Sequence, residues 1–190
     1  MTRPGDPTNT PGTLPTKHDL DTLVDLARAG GAQAAEAFAQ LVGQSIEALP
    51  PIVVEGGPTA GASDPDATGV FFELDGCLDA IVGVVFPGRA SETLVRRIFG
   101  IETGELEPPI VESAIMEVGN ILASHVASAI ADRMGERLLP SIPSLAMANA
   151  QVEFEAFVER VVGAAAPRIE TGLANESGDV NGYLVLVPTS

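Results

Sequence analysis

One lysine, Lys17, stands in a chain of 190 residues, against nine arginines and 26 acids, for a formal net charge of −16. A surface so poor in cations cannot neutralise a phosphate backbone, which excludes nucleic acid and anionic membrane surfaces as general partners. The same acidic, lysine-poor, alanine- and valine-rich balance suits a protein kept soluble in high salt, where self-repulsion is screened, and fits a halophilic, archaeal source. Cysteine is equally scarce. Cys77 has no partner for an intramolecular disulfide, and no clustered cysteine and histidine ligands are present, so no metal or other cofactor is expected on this chain. That usage fits a reducing cytoplasm, the expected location. The first residues lack the basic region and apolar core of a signal peptide, and no run approaches the ~20 apolar residues that cross a bilayer, so no membrane insertion is expected.

The length suits one domain with a sizeable core. Residues 1–17 hold four prolines and two glycines with little apolar content. They cannot repay the entropy of ordering and read as a disordered tail, leaving 18–190 as the domain. From Asp19, a candidate cap, helical spacing of Leu20, Leu23, Leu26, Ala34, Phe38 and Leu41 predicts a helix to about Ala48, ended by Pro50 and Pro51. Ile52–Val54 reads as a strand, and 55–68, rich in Gly, Pro, Ala and Asp, as an exposed loop. Val70–Leu74 and Leu78–Phe86 read as a hairpin turning at Asp75-Gly76. Ser91 is expected to cap a helix closed by Gly100. Pro108 and Pro109 suit the first turn of a long helix running to about Met134. An extended segment after Pro143, a helix over Val152–Ala165 stopped by Pro167, and a strand pair over Arg168–Ala174 and Tyr183–Val187 complete the order. Hairpins outnumber crossovers, so the fold class is α+β, with a largely antiparallel sheet flanked by helices.

What the long central helix carries is a spaced polar set. Ser113, Glu117 and Asn120 fall on one face within two turns, about 11 Å. Ile115, Met116, Val118, Ile121, Leu122, Val126 and Ile130 supply the apolar side. Pro143 follows Asn120 by 23 positions. Sliding the sequence by 92 positions lays Asp21, Asp25, Arg28 and Pro51 over Ser113, Glu117, Asn120 and Pro143, with Gly43 on Gly135 and Ala35, Ala37 and Ala39 on Ala127, Ala129 and Ala131. Two half-repeats, about 18–100 and 108–190, are expected, related by a pseudo-two-fold.

Asp-or-Ser, three residues, Glu, two residues, Asn, twenty-two residues, Pro is a pattern that resembles the CheC/CheX/FliY family of chemotaxis phosphatases, and all four positions match here. The resemblance covers roughly residues 18–188 and is nearest to CheC. It implies a duplicated, pseudo-symmetric domain with two site helices, and a substrate that is the aspartyl phosphate of a CheY-type response regulator. It further implies that Glu117 pairs with a lysine beside the regulator's phosphorylated aspartate, and that the Mg²⁺ offsetting phosphate charge sits on the regulator. An acyl phosphate is already activated, so such an enzyme mainly has to orient the attacking water. Asn120, with donors and an acceptor and no charge to desolvate, suits that task. In the first copy Asp25 replaces Glu and Arg28 replaces Asn. A fixed cation cannot accept from water, so this site is expected to be inactive as a hydrolase.

Other residues carry two readings each. Gly119 in mid-helix costs ~1 kcal/mol relative to alanine and either admits a partner's backbone or packs on the sheet. His125 reads as a bystander or a rim contact. Arg28 either meets an acidic partner surface, pairs with Asp25 or Asp21, or is simply solvated. Pro51 and Pro143 read as structural. The intact set favours a single-site phosphatase. The alternative is a non-catalytic adaptor that binds and regulates CheD, a receptor deamidase that the resemblance implies as a second partner. A flagellar-switch component similar to FliY is a weaker reading.

Overall fold

The computed structural model describes residues 17–55, 64–163 and 166–189. The expected disordered tail, apart from Lys17, and the greater part of the 55–68 loop lie outside the described residues. Helix α1 spans Lys17–Val42, followed by strands β1 (Glu47–Ala48), β2 (Ile52–Val54), β3 (Thr68–Gly76) and β4 (Ala80–Phe86) and helix α2 (Gly88–Phe99). The order then continues with α3 (Pro108–Met134), β5 (Leu138–Pro140), β6 (Ser144–Ala146), α4 (Ala150–Val162), β7 (Arg168–Ala174) and β8 (Asn181–Pro188). Every strand pairing is antiparallel, in one sheet of order β1-β7-β8-β4-β3-β5, with β2 also on β7 and β6 also on β3.

Side chains alternate across the sheet as a period of two requires. Val70, Phe72, Leu74, Val82, Val84, Phe86, Leu184 and Leu186 face the layer of α1, α2 and α3, whereas Phe71, Ile81, Val85, Val185 and Val187 face α4. Aromatic contacts tie each layer down. Phe38 of α1 meets Phe86 edge-on with ring centres 6.0 Å apart, and Phe71 meets Phe154 and Phe157 of α4 at 5.1 and 5.9 Å. Both faces are covered, so β4 is buried along its whole length.

The strand order reads the same when the two halves of the chain are exchanged. β1 and β2 lie on β7 as β5 and β6 lie on β3. The backbone bond from Leu49 to the Gly172 carbonyl has its counterpart in Ser141 to the Glu73 carbonyl, each 2.8 Å. At the centre, Gly83 of β4 pairs with Val185 of β8. The long helices close alike. Gly43 and Gly135 adopt left-handed φ values of 66° and 70°, and the N–H groups of Gln44 and Glu136 reach the carbonyls of Ala39 and Ala131.

Several boundaries differ from expectation. α1 stops at Val42 rather than near Ala48, because the Gly43 cap ends it before the prolines can; Glu47–Ala48 instead pair with β7. β5, likewise absent from the expected order, is the matching short strand at the opposite edge. Asp75 and Gly76 are not a hairpin turn. They extend β3 to pair with Leu139 and Leu138, and at Gly76 (φ 139°) a Cβ would lie 2.2 Å from the Arg137 carbonyl oxygen. β4 accordingly starts at Ala80, not Leu78. Ser91 is no cap: α2 begins at Gly88, and the buried Ser91 hydroxyl donates back to the Gly88 carbonyl at 2.8 Å. α4 is ended by Gly163 (φ 79°) rather than Pro167. By length and mean hydropathy α3 is long and apolar enough to cross a bilayer, a test that a buried core helix also passes. Here its apolar side lies in the core.

Two polar ties brace the frame. Arg168, fully buried at the start of β7, pairs through both terminal nitrogens with Glu155 of α4. On the opposite layer, Arg97 of α2 donates to Asp179 of the β7–β8 turn at 2.8 Å. Hydrogen bonds from Ser177, Asn175 and Arg97 hold the Asp179 carboxyl well below the usual carboxylate range.

Candidate functional site

Residues 114, 115, 118, 119, 122, 123, 126, 127, 129 and 130 of α3 are buried against α1 and the sheet. A helix seated so firmly on one side must show the other. Ser113 and Glu117 are exposed and Asn120 is half-buried, so the structure brings the three expected residues to one outward stripe. Glu117 and Asn120 are three residues apart, about 4.5 Å of helical rise. Among the described residues, the side chains of Ser113, Glu117 and Asn120 make no hydrogen bond or ion pair within the chain. They are held by their helix alone, with their donors and acceptors open to solvent. Ser124, exposed on the same stripe one turn beyond Asn120, is not among the residues that the sequence motif marks, although its spacing of four from Asn120 would have found it.

The two readings of Gly119 are decided by β3. A Cβ there would lie 2.6 Å from the Val70 Cβ and 2.5 Å from its Cγ2, so the glycine serves close helix–sheet packing and not a visiting backbone. Val70 is thereby a positioning residue that the sequence does not mark. His125 is exposed. Pro143 stands directly before β6 and Pro51 directly before β2, at equivalent places in the strand order.

On α1, Asp21, Asp25 and Arg28 are exposed in the same way. Arg28 pairs with Asp25, not Asp21, at 2.5 Å. With side chains 62% and 65% exposed, such a pair is worth only ~0–1 kcal/mol. The two helices thus present different chemistry at matching positions: a carboxylate beside a neutral amide on α3, a carboxylate neutralised by a guanidinium on α1.

The α3 site is convex. Cavities of about 530 and 400 Å³ exist, but the first is lined by α2, the α2–α3 connection and the start of α3, and the second by Gln44, Ser45 and the β7–β8 turn. Neither is lined by Ser113, Glu117 or Asn120. Small ligands need concave, mostly apolar enclosure. A polar stripe on an outward helix fits a macromolecule that supplies the cleft itself.

Residues 110–145, the segment containing Ser113, Glu117, Asn120 and Pro143, match the model of the CheC-like family. Over 185 residues the chain is 25% identical to the CheY-P phosphatase CheC of Bacillus subtilis, with 90% of this chain and 88% of that protein covered. The chain is similar to CheC along most of its length. Its fold agrees. The FliY crystal structure of Thermotoga maritima superimposes with a TM-score of 0.65 at 17% identity, covering 92% of each chain. CheX of Borrelia burgdorferi, solved with CheY, BeF₃ and Mg²⁺, gives 0.63 at 11% identity, covering 88% of this chain and 99% of that one. At such identities these structures speak for the fold alone. The CheC-like segment includes the second of the two expected sites and not the first.

Proposed function

We propose that this CheC-like chain is a phosphatase for the aspartyl phosphate of a CheY-type response regulator, with one intact site on α3. The observation that carries the reading is the outward stripe of Glu117 and Asn120, without hydrogen-bond or ion-pair partners among the described residues, inside the segment that matches the family model. Its support from outside is the similarity to a relative named as a CheY-P phosphatase.

In this reading α3 lies across the regulator's active site. The Asn120 carboxamide accepts a hydrogen bond from a water and holds its oxygen in line with phosphorus, opposite the acyl oxygen. A bond forms from that oxygen to phosphorus as the bond to the acyl oxygen breaks. The electron pair returns to the aspartate as a carboxylate, and inorganic phosphate leaves carrying the water's oxygen and its two protons. Glu117 fixes register through a charge-assisted bond to a lysine of the regulator. The Mg²⁺ that offsets phosphate charge is the regulator's.

The test is to follow phosphate loss from a phosphorylated CheY-type regulator with and without the chain. Acceleration of at least about tenfold is expected, since positioning a water is worth at least that much. Binding without acceleration would overturn the reading in favour of a non-catalytic adaptor, for which CheD is the partner to try.

A further inference from the structure

On the reading of α3 as the phosphatase helix, on which this rests, we infer that Gly119 is a positioning residue for the hydrolytic step. Its missing side chain lets α3 settle onto Val70 at the depth and rotation from which the Asn120 carboxamide holds the attacking water.

Two features set this contact apart from ordinary packing. The first is its closeness. A Cβ at position 119 would meet the Val70 Cγ2 at 2.5 Å, its Cβ at 2.6 Å and its Cγ1 at 3.0 Å, so nothing larger than glycine fits unless the helix or the strand moves. Val70 is fully buried, and β3 is paired with β4 on one edge and with β5 and β6 on the other. The strand is fixed from both sides, and the helix is the part that shifts. The second feature is the equivalent place on α1. The 92-residue repeat lays Ala27 on Gly119, directly before Arg28 as Gly119 stands directly before Asn120. Ala27 is buried and lines a small internal void with Gly31, Ile169 and Thr171. Helix propensity favours alanine at both places, yet the copy that keeps the amide carries the glycine and the copy that lacks the amide does not.

A shift of α3 falls unequally on the two functional side chains. Relieving a contact of 2.5 Å to ordinary van der Waals separation takes about 1 Å of movement. Glu117 is exposed and reaches outward through three side-chain torsions, so its carboxylate can follow a partner over that distance. Asn120 has two torsions, is half-buried and lies one residue from the contact. Its amide moves with the backbone. Docking is kept while the water leaves its line with phosphorus, and a misplacement of that size costs up to about 100-fold in rate.

The test follows phosphate release from a phosphorylated CheY-type regulator by the full chain, over a range of regulator concentrations. Gly119→Ala is expected to lower kcat by about 10- to 100-fold and to leave KM within about threefold of the native value. Val70→Ile, which enlarges the same contact from the strand side with the sequence of α3 unchanged, should lower kcat in the same direction. Combining Gly119→Ala with Val70→Gly, which removes the three atoms nearest the new Cβ, should recover most of the loss. Val158→Ala, in the α4 layer on the other face of the sheet, should lower the unfolding midpoint without moving kcat. Native kcat in folded Gly119→Ala, a loss carried by KM alone, an equal fall of kcat in Val158→Ala, or a folded double variant without recovery would overturn the inference. If Gly119→Ala does not fold, Val70→Ile decides, and native kcat there overturns it. Any of these results in a chain that turns over normally leaves the phosphatase reading standing. A native chain that does not accelerate phosphate loss removes that reading, and the role of Gly119 with it. Circular dichroism at the assay temperature identifies which variants are folded.

Discussion

Gly119 of α3 rests directly on Val70 of β3, so close that a Cβ on the glycine would come within 2.6 Å of the valine's own. The next residue along the helix is Asn120. The contact fixes how high and at what rotation α3 sits on the sheet, and through it where the amide is presented.

Replacing Gly119 by alanine should therefore destabilise the protein by ~1–3 kcal/mol, the cost of overpacking a filled core, despite alanine's better helix propensity. Val70→Ala in the same chain should recover most of the loss by opening the space. Denaturant midpoints of the two single variants and the double variant check this as a thermodynamic cycle. A stabilised Gly119→Ala protein would show that the helix lifts without penalty.

Asn120→Ala should abolish acceleration of phosphate loss while changing stability by less than about 0.5 kcal/mol, because a half-exposed side chain without hydrogen-bond partners among the described residues is being removed. Phosphate-release assays paired with thermal unfolding separate the two effects. Full activity in the variant would remove the water-orienting role.

Glu117→Ala should weaken regulator binding as well as turnover, by about tenfold or more in affinity if a charge-assisted bond is lost at the interface. Calorimetric titration with the beryllofluoride form reads this directly. An unchanged affinity would argue against a docking role for the carboxylate.

Tyr183 is the only tyrosine of the chain, so its titration can be followed in the ultraviolet without interference. Burial raises its pKa to about 12, even though Gln151 donates to the phenol oxygen at 3.0 Å. The unfolded chain loses that proton near pH 10 and the folded one does not, so the stability tied to the neutral phenol is complete below pH 10 and declines as pH rises towards about 12. Alkaline unfolding curves of the native chain should slope downward over that window. A phenolate signal appearing at pH 10 in a folded sample would contradict the burial argument.

Asp25→Glu with Arg28→Asn, placed on an Asn120→Ala background, should return measurable phosphatase activity from α1, because the helix and its following strands remain aligned with those of α3. In an otherwise native chain the gain should be at most about twofold, as two independent and equal sites allow. A folded triple variant without activity would show that more of the α1 surface has diverged than these two residues.

The sequence carried the site more fully than it carried the ends of the elements. Helical periodicity placed Ser113, Glu117 and Asn120 on one outward face because α3 is long and its apolar stripe is regular. Hairpin strands β3, β4, β7 and β8 were legible from β-branched runs and turn residues. β1 and β5 were not, since strands of two and three residues carry no period and exist only through pairing with partners far away in the chain. Asp75-Gly76 misled for a related reason: its local turn chemistry is overridden by β5, which prolongs β3. Nothing in the sequence named Val70 as the neighbour of Gly119, because helix-to-sheet contact is set by how the layers stack. The Gly43–Gly135 correspondence was visible as a repeat, but not its force as a helix stop seven residues ahead of the prolines.

The antiparallel pairing of β1 with β7 joins Glu47 to Ala174, far apart along the chain. During synthesis α1 and its two short strands emerge first and find no sheet of their own to join. The strands that receive them are made last. β1 and β2 must therefore wait for β7 until translation is almost finished, and closing loops of this length is slow. The β3–β4 hairpin can form early, but completion of a sheet whose order interleaves both halves is expected to be a late step.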